Sequence, residues 1–114
     1  MTRRLLQVTV VLLACTAVTV AAASAAQRGR KPATHTITIT GMQFSLGTLT
    51  IKPGDTVVWV NKDIVAHTAT STAATFNSRM IAPEKSWKTI FKTKGDFPYV
   101  CSYHPTMKGL LKVE

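Results

Sequence analysis

Residues 56–61 of the chain read TVVWVN, an almost continuously apolar segment that ends in asparagine. A short apolar run that is rich in β-branched and aromatic residues is typical of a buried β-strand. Trp59 has the largest side chain in the segment, and its ring would bury a large apolar area. We therefore predict a core strand here and a structural role for Trp59.

Other segments of the chain alternate apolar and polar residues, as half-buried strands do. The clearest are HTITIT at 35–40, TLTIK at 48–52 and SWKTIF at 86–91. Turn-forming sequences separate the strands, namely KPGD at 52–55, NKD at 61–63, APEK at 82–85 and TKGD at 93–96. Short strands at this spacing, without a sustained helical period, predict an all-β fold: a small antiparallel sandwich or a Greek-key barrel.

The first 25 residues have the features of a signal peptide. Arg3 and Arg4 precede an apolar stretch, and the stretch ends in the small residues ASA at 23–25. We predict export, to the periplasm or beyond, with cleavage after Ala25. Two alternatives remain: LLAC at 12–15 resembles a lipoprotein box that would anchor the protein through Cys15, and TRRLL loosely resembles a twin-arginine signal.

A stable membrane span is not expected from this segment, because polar residues interrupt it and no basic stop-transfer cluster follows at the expected distance. Residues 26–33, AQRGRKPA, contain nothing to bury and predict a disordered basic lead. The folded domain is expected to span residues 34–114.

The chain is strongly basic, with 14 Lys and Arg against 5 Asp and Glu. Without Arg3 and Arg4, 12 basic residues remain against 5 acidic ones, a net charge of +7. Nucleic acid is not the expected partner, because the lysines are scattered among strands without stacking aromatics and the protein is predicted to be exported. An acidic protein partner is favoured.

A second segment, YVCSYHPTMKG at 99–109, contains Cys101, His104 and Met107 in a C-x2-H-x2-M pattern. Thiolate, imidazole and thioether are soft or borderline ligands, and two His, one Cys and a weak axial Met suit copper in an electron-transfer site. Zinc is the chemical rival, but a structural zinc site would not recruit a thioether. An unpaired exported cysteine also needs a reason to exist.

The second imidazole must come from elsewhere, and His35 and His67 are the candidates. His35 begins the first strand beside the disordered lead, where we expect its ring to be solvated and poorly fixed. His67 follows the apolar TVVWVN strand, so a sandwich could place it beside the Cys101 loop. We choose His67. Each residue alone has an ordinary structural explanation, and only their joint spacing favours a metal site.

The segments WVNKDIVAHT and YVCSYHPTM resemble the cupredoxins, the blue-copper electron carriers, over residues 34–114. The two-residue spacing between His104 and Met107 is most similar to the ligand loop of amicyanin. The resemblance implies a Greek-key antiparallel β-sandwich with one type 1 copper ion, Cu(I) or Cu(II). It also implies that His67, Cys101 and His104 are equatorial ligands and that Met107 is axial.

The resemblance further implies that Asn61 braces the ligand loop by hydrogen bonds. Two positions depart from the family pattern: Ala66 stands where a proline usually precedes the first His, and Thr68 stands where an asparagine commonly follows it. The hydrogen bonding around the Cys101 thiolate is therefore open at this stage.

These features predict a monomeric electron carrier and not an enzyme, because Ser102 follows Cys101 where copper enzymes have a His bound to a second copper centre. The expected partner is an acidic redox protein, such as a dehydrogenase or a c-type cytochrome. We predict an electron port at His104, bordered by Val65 and Pro105, and docking lysines that include Lys85 and Lys88. The alternatives are copper handling and an accessory module of a larger redox complex.

Overall fold

The computed structural model of the protein describes residues 29–114. The chain divides into two units, Met1–Lys31 and Pro32–Glu114, and the second contains the fold described below. The predicted signal peptide at 1–25, with Cys15, and the first residues of the predicted lead lie outside the described residues. No helix among the described residues is long and apolar enough to cross a membrane.

Eight strands make up the described fold. They are β1 (Thr34–Thr40), β2 (Gln43–Phe44), β3 (Thr48–Ile51), β4 (Asp55–Asn61), β5 (Thr70–Ser71), β6 (Ser86–Phe91), β7 (Gly95–Val100) and β8 (Lys108–Val113). They form two four-stranded sheets, ordered β2-β1-β4-β6 and β3-β8-β7-β5. The predicted all-β sandwich is confirmed: the alternating segments coincide with β1, β3 and β6, and the apolar segment 56–61 lies in β4.

Strand direction refines the predicted antiparallel arrangement. β1 pairs with β4 in parallel, and β3 pairs with β8 in parallel, whereas the other pairs are antiparallel. Alternation of apolar and polar residues has the same period in both kinds of ladder, so it predicts strands without predicting their direction. Between β1 and β4 the chain contributes β3 to the other sheet, so these two neighbours are not joined by a hairpin.

Trp59 lies at the centre of the core. It is fully buried, and its ring centroid lies 5.5–5.6 Å from those of Tyr99, Phe76 and Trp87. Inward-facing side chains from both sheets surround these rings, namely Ile37, Ile39, Phe44, Ile51, Val57, Phe91, Leu111 and Val113. The predicted structural role of Trp59 follows from this packing, because its ring contacts rings of both sheets, Trp87 in one and Tyr99 in the other.

Tyr99 imposes a glycine on the neighbouring strand. In the β7–β8 ladder Tyr99 stands opposite Gly109, and a Cβ atom at Gly109 would collide with the tyrosine ring. Burial raises the pKa of Tyr99 to about 12, and contact with the Trp59 indole opposes that shift by less. Neither the Tyr99 hydroxyl nor Trp59 Nε1 has a hydrogen bond of good geometry. The two rings thus pack closely while their polar atoms lack a well-formed hydrogen bond.

His35 is better fixed than its position beside the lead predicts. Its Nε2 lies 2.9 Å from Oδ2 of the buried Asp55, and 27% of its side chain is exposed. Asp55 also accepts hydrogen bonds from the backbone N–H groups of Ala33 and Lys52. The expectation of a poorly fixed ring is therefore wrong, because a carboxylate 20 positions away holds it.

Candidate metal centre

Three metal-binding side chains converge at one end of the sandwich. Cys101 Sγ lies 3.7 Å from His67 Nδ1 and 3.8 Å from His104 Nδ1, and all three atoms lie within 4.8 Å of one another. Cys101 follows β7, whereas His67 lies in the loop between β4 and β5. The ends of two strands from opposite sheets thus bring together residues that are 34 positions apart.

The loop from Cys101 to Met107 is held by its own backbone. His104 N donates to Cys101 O at 3.2 Å, and Met107 N donates to His104 O at 2.9 Å. Each two-residue spacing in C-x2-H-x2-M therefore corresponds to one hydrogen-bonded turn. Cys101 N also donates to Met107 O at 3.1 Å, which closes the loop. Met107 is buried beside Cys101 by this arrangement, with 4% of its surface exposed.

His67 is anchored by its backbone to residue 81. The two residues exchange hydrogen bonds, with His67 N donating to Ile81 O at 3.1 Å and Ile81 N donating to His67 O at 2.8 Å. Both residues are buried. The backbone of His67 is therefore held in place, even though the residue lies outside the named strands.

Asn61, the last residue of β4, ties the first loop together. Its Nδ2 donates to Val65 O at 2.8 Å and to Ile81 O at 2.9 Å, and its Oδ1 accepts from Asp63 N at 2.9 Å. The side chain is fully buried, so these hydrogen bonds satisfy polar atoms of Asn61 that water does not reach. Asn61 thus contacts both the loop that precedes His67 and the segment that pairs with it.

Asp63 links His67 to the turn between β1 and β2. Its carboxylate accepts hydrogen bonds from Gly41 N at 3.0 Å and Met42 N at 2.9 Å, and Oδ2 lies 2.8 Å from His67 Nε2. The bond from Met42, and then that from His67, lower the pKa of the Asp63 carboxyl. An ionised carboxylate can only accept, so we assign the ring hydrogen to His67 Nε2. The lone pair of Nδ1 then faces Cys101.

Thr68 joins the two loops directly. Its backbone N–H donates to Cys101 Sγ at 3.3 Å, and its Oγ1 accepts from Ser102 N at 2.8 Å. Thr68 Oγ1 also lies 2.8 Å from Ser102 Oγ and 2.9 Å from Thr70 Oγ1. The hydroxyl of Thr68 therefore makes the link at the position where the family pattern has an amide side chain.

The direction of this hydroxyl chain follows from its far end. Thr70 Oγ1 donates to Asn77 Oδ1 at 3.4 Å, so its single hydrogen is used there. Thr68 must then donate to Thr70, and Ser102 Oγ must donate to Thr68. A continuous chain of donors thus runs from the residue after Cys101 to Asn77 on the surface.

Exposure differs among the predicted site residues. His67 and Cys101 are fully buried, whereas His104 is partly exposed between exposed Tyr103 and Pro105. Val65 is 40% exposed, and Ala66 is half-buried immediately before His67. The methyl side chain of Ala66 cannot form a hydrogen bond, so it can contribute only packing beside His67.

The two predicted docking lysines lie at different distances from this end of the molecule. Lys85 O accepts from Asn61 N, which places Lys85 at the end of the sheet that carries the cluster. Lys88 pairs with Val58 further along β6, about 10 Å away at the rise of an extended chain. The structure therefore brings Lys85, but not Lys88, to the ligand-bearing end.

The spacing of the three side chains fits a transition-metal ion. Bonds of about 2.3 Å to sulfur and about 2.0 Å to nitrogen, about 120° apart, place those two atoms about 3.7 Å apart. The two S–N separations, 3.7 and 3.8 Å, match this value. Two His and one Cys in a trigonal arrangement, with a buried Met in the same loop, form the ligand set that favours copper.

Sequence reasoning missed two features of the site. Asp63 lies four positions before His67 in the segment NKDIVAHT, and a carboxylate at that distance is the kind of partner that orients a metal-ligating imidazole. The hydroxyl cluster of Thr68, Thr70 and Ser102 was not foreseen either. Its members come from two segments that are 34 positions apart, so no local pattern indicates it.

A β-sandwich with a His-Cys-His cluster at one end is the architecture of a small copper protein. Residues 9–113 match the sequence profile described as the cupredoxin-like domain, and the chain belongs to that family. The family binds one type 1 copper ion, and His67, Cys101 and His104 form a potential site for it. Copper is thus the cofactor, as the sequence predicts.

Known relatives agree with this placement. Amicyanin of Paracoccus denitrificans is 30% identical over 83 residues, which cover 68% of this chain and 63% of the relative. The matched region therefore spans just under two thirds of that protein's length. A purple cupredoxin from Nitrosopumilus maritimus is 31% identical, with a TM-score of 0.65 over 70% of this chain and 99% of that one.

A copper-containing nitrite reductase from Thermus scotoductus is also similar. Its identity is 26% and its TM-score 0.68 over 75% of this chain, but the match covers only 23% of the reductase. The fold therefore occurs both as a small separate protein and as one part of an enzyme, so the choice between them depends on the site.

Proposed function

We propose that the protein is an exported electron carrier whose single copper ion is held by His67, Cys101, His104 and Met107. One observation carries the proposal: a buried thiol and two imidazoles converge at distances that suit one ion, and of these three residues only His104 is partly exposed. A site that is closed except at one ligand edge suits outer-sphere electron exchange better than substrate binding.

When bound, copper supplies one-electron chemistry by alternating between Cu(I) and Cu(II). The chain contributes a rigid ligand frame, because Asn61 and Asp63 hold the His67 loop and two backbone turns hold the other loop. Ligands fixed in advance reduce the rearrangement that accompanies each change of charge. The Thr68 N–H directed at Cys101 Sγ would stabilise the thiolate and thereby tune the reduction potential.

The neighbour of Cys101 supports a carrier over an enzyme. Ser102 occupies the position where a second copper centre would find its His, and its hydroxyl and N–H are both engaged with Thr68. Within residues 29–114, His67, Cys101 and His104 form the one cluster of three or more His, Cys or acidic side chains close enough to share an ion. An oxidase-type relay would need a further set.

Electrons would enter and leave at His104, through a collar that includes Val65 and Pro105. Pro105→Asp tests this port, because a charge there should hinder docking without touching the ligands. We expect electron exchange with a redox partner to slow at least fivefold while the optical spectrum is unchanged. Unaltered exchange would place the port elsewhere on the surface.

The proposed partner is an acidic redox protein, such as a dehydrogenase or a c-type cytochrome, met in the periplasm by a monomeric carrier. The net positive charge of the chain supports an acidic partner. Lys85, at the ligand-bearing end, and Lys88 further along β6 would steer the encounter. A rate of association that falls with ionic strength is the expected signature.

The optical and EPR spectra of the purified protein with Cu(II) test the function directly. An intense thiolate-to-copper absorption band with narrow copper hyperfine splitting is expected. Cys101→Ala should abolish both, and Lys52→Ala, an exposed change far along the chain from the cluster, should leave both intact. A protein whose spectrum is the same with and without Cys101 would refute the electron-carrier proposal.

Copper handling is the second candidate, and one observation favours it. Met42 and Met107 line the same surface depression, of about 520 Å³, and thioethers are ligands for Cu(I). Transfer of Cu(I) to a competing chelator distinguishes the candidates. A carrier should retain its ion for hours because Cys101 and His67 are buried, whereas a delivery protein should release it within minutes.

A further inference from the structure

Strand β6 forms one edge of its sheet and has a side without a neighbour among the described residues. Lys85 O accepts from Asn61 N and Phe91 O accepts from Gly54 N, so odd-numbered residues turn their backbone groups toward β4. Even-numbered residues must then turn theirs away from β4, because direction alternates along a strand. The N–H and C=O groups of Ser86, Lys88 and Ile90 therefore point outward from the sheet.

No hydrogen bond from another part of residues 29–114 reaches those outward groups. Their side chains are exposed as well, including that of Ile90 at 54%. An edge of this kind can accept an added strand from another chain, with backbone bonds supplying affinity. The edge thus offers the backbone N–H and C=O groups of three residues for pairing with an added strand.

Charge selects what can pair with this edge. Lys85, Lys88, Lys92 and Lys94 lie on β6 or beside it, and no acidic residue occurs between residues 85 and 94. A second copy of the same strand would place these lysines opposite lysines of the other copy. Repulsion between the like charges opposes self-association. A strand with acidic side chains would instead pair with them.

An apolar depression lies below the same edge. It has a volume of about 380 Å³ and is lined by Phe76, Phe91 and Phe97 together with residues of β6 and its flanks. Phe76 and Phe97 are only half-buried. A strand added beside β6 would direct alternate side chains toward this depression and the remaining ones toward the face that carries Lys88.

We propose that the β6 edge binds an extended acidic segment of a partner protein, in which apolar and acidic residues alternate. The acidic side chains pair with Lys88 and its neighbouring lysines, and the apolar ones enter the depression at Phe76 and Phe97. This docking surface goes beyond the proposed electron transfer and does not need copper. It lies along β6, whereas the proposed electron port lies at His104.

The test uses a seven-residue peptide of alternating valine and glutamate, titrated into the purified protein and followed by NMR. We expect the amide signals of Ser86, Lys88 and Ile90 to shift most and to become protected from hydrogen exchange. The same peptide with lysine in place of glutamate should bind at least tenfold more weakly. Equal binding of both peptides, or shifts centred on other strands, would overturn the proposal.

Two pairs of variants separate backbone pairing from charge. Lys88→Glu should weaken binding of the glutamate peptide at least tenfold, whereas Lys108→Glu, the same charge change on the other sheet, should alter it less than twofold. Ile90→Pro removes an outward N–H without removing a bond to β4, and it should weaken binding at least fivefold, whereas Ile90→Val should not. Equal effects within either pair would contradict strand addition.

The copper spectrum serves as an independent readout in the same experiment. Cys101→Ala should leave peptide binding unchanged, and the β6 variants should leave the thiolate-to-copper band unchanged. Failure of the peptide experiment would therefore remove only the docking surface, and failure of the spectrum would remove only the proposed copper function.

Discussion

The two loops that carry the candidate ligands are held by different means. The loop that leads to His67 depends on the side chains of Asn61 and Asp63, which bond to backbone groups and to the imidazole. The loop from Cys101 to Met107 depends on three backbone hydrogen bonds and on the link from Ser102 to Thr68, and the side chains of Tyr103, Pro105 and Thr106 add no hydrogen bond to it. The first loop is thus specified by residue identity, and the second by spacing.

The largest expected effect comes from Asn61→Ala, which removes the side chain that closes the first loop. Val65 O and Asp63 N lose their hydrogen-bond partner, and Ile81 O keeps only the bond from the His67 N–H. A group left without a partner costs about 1–2 kcal/mol, so the two groups together predict a loss of about 2–4 kcal/mol. Urea denaturation of the metal-free protein measures it, and a loss below about 1 kcal/mol would contradict the comparison.

Asp63→Asn tests whether the first loop also sets the ligand orientation. Asparagine has about the same shape, but only one of its two terminal atoms is an acceptor oxygen. The carboxylate accepts from its three donors with two oxygens. Because changes in residues that orient a ligating imidazole typically weaken metal binding about 10–100-fold, we expect a loss in that range.

Competition with a copper chelator provides the measurement for Asp63→Asn. Lys62→Ala, at the preceding exposed position, is the matched control, and its affinity should be unchanged. Equal affinities of Asp63→Asn and the unmodified protein would mean that backbone anchoring to Ile81 alone orients His67.

Thr68→Val examines the junction between the loops. Valine keeps the branched shape and the N–H that faces Cys101 Sγ, but it removes the hydroxyl and leaves Ser102 N without an acceptor. We expect a loss of about 1–2 kcal/mol in unfolding free energy. Thr68→Ser retains the hydroxyl and should lose much less. Similar losses for both variants would assign the effect to packing.

Tyr103→Ala and Thr106→Ala should have the smallest effects. Both residues are exposed and neither side chain forms a hydrogen bond within the described fold. Each variant is expected to change the unfolding free energy by less than about 0.5 kcal/mol, as exposed substitutions usually do. A loss above about 1.5 kcal/mol from either one would show that side chains also hold the second loop.

The sequence predicts most of the strands and three of the four candidate ligands, Cys101, His104 and Met107, for the same physical reason: they follow from local patterns. Alternation identifies β1, β3 and β6, an apolar run identifies β4, and the two-residue spacings of C-x2-H-x2-M correspond to two turns. Contacts between distant segments have no such signature. The carboxylate of Asp55 on His35 and the link between Thr68 and Ser102 span 20 and 34 positions, and neither could be predicted from spacing.

Strand direction could not be predicted from local sequence either. The parallel pairing of β1 with β4 depends on where the chain crosses between sheets, and the turn sequences do not encode that crossing. The departures from the family pattern at Ala66 and Thr68, in contrast, are visible in the local sequence, and both lie next to His67. At Thr68 the structure supplies an alternative hydrogen bond, and at Ala66 it supplies only packing.

The parallel pairing of β3 with β8 has a consequence for the order of events during synthesis. Thr48–Ile51 can pair only after residues 110–113 have emerged, about 60 positions later. Because β8 lies between β3 and β7, β3 joins the sheet that carries Cys101 only through β8. That sheet therefore stays incomplete until segments about 60 positions apart have met, and such a non-local pairing slows folding.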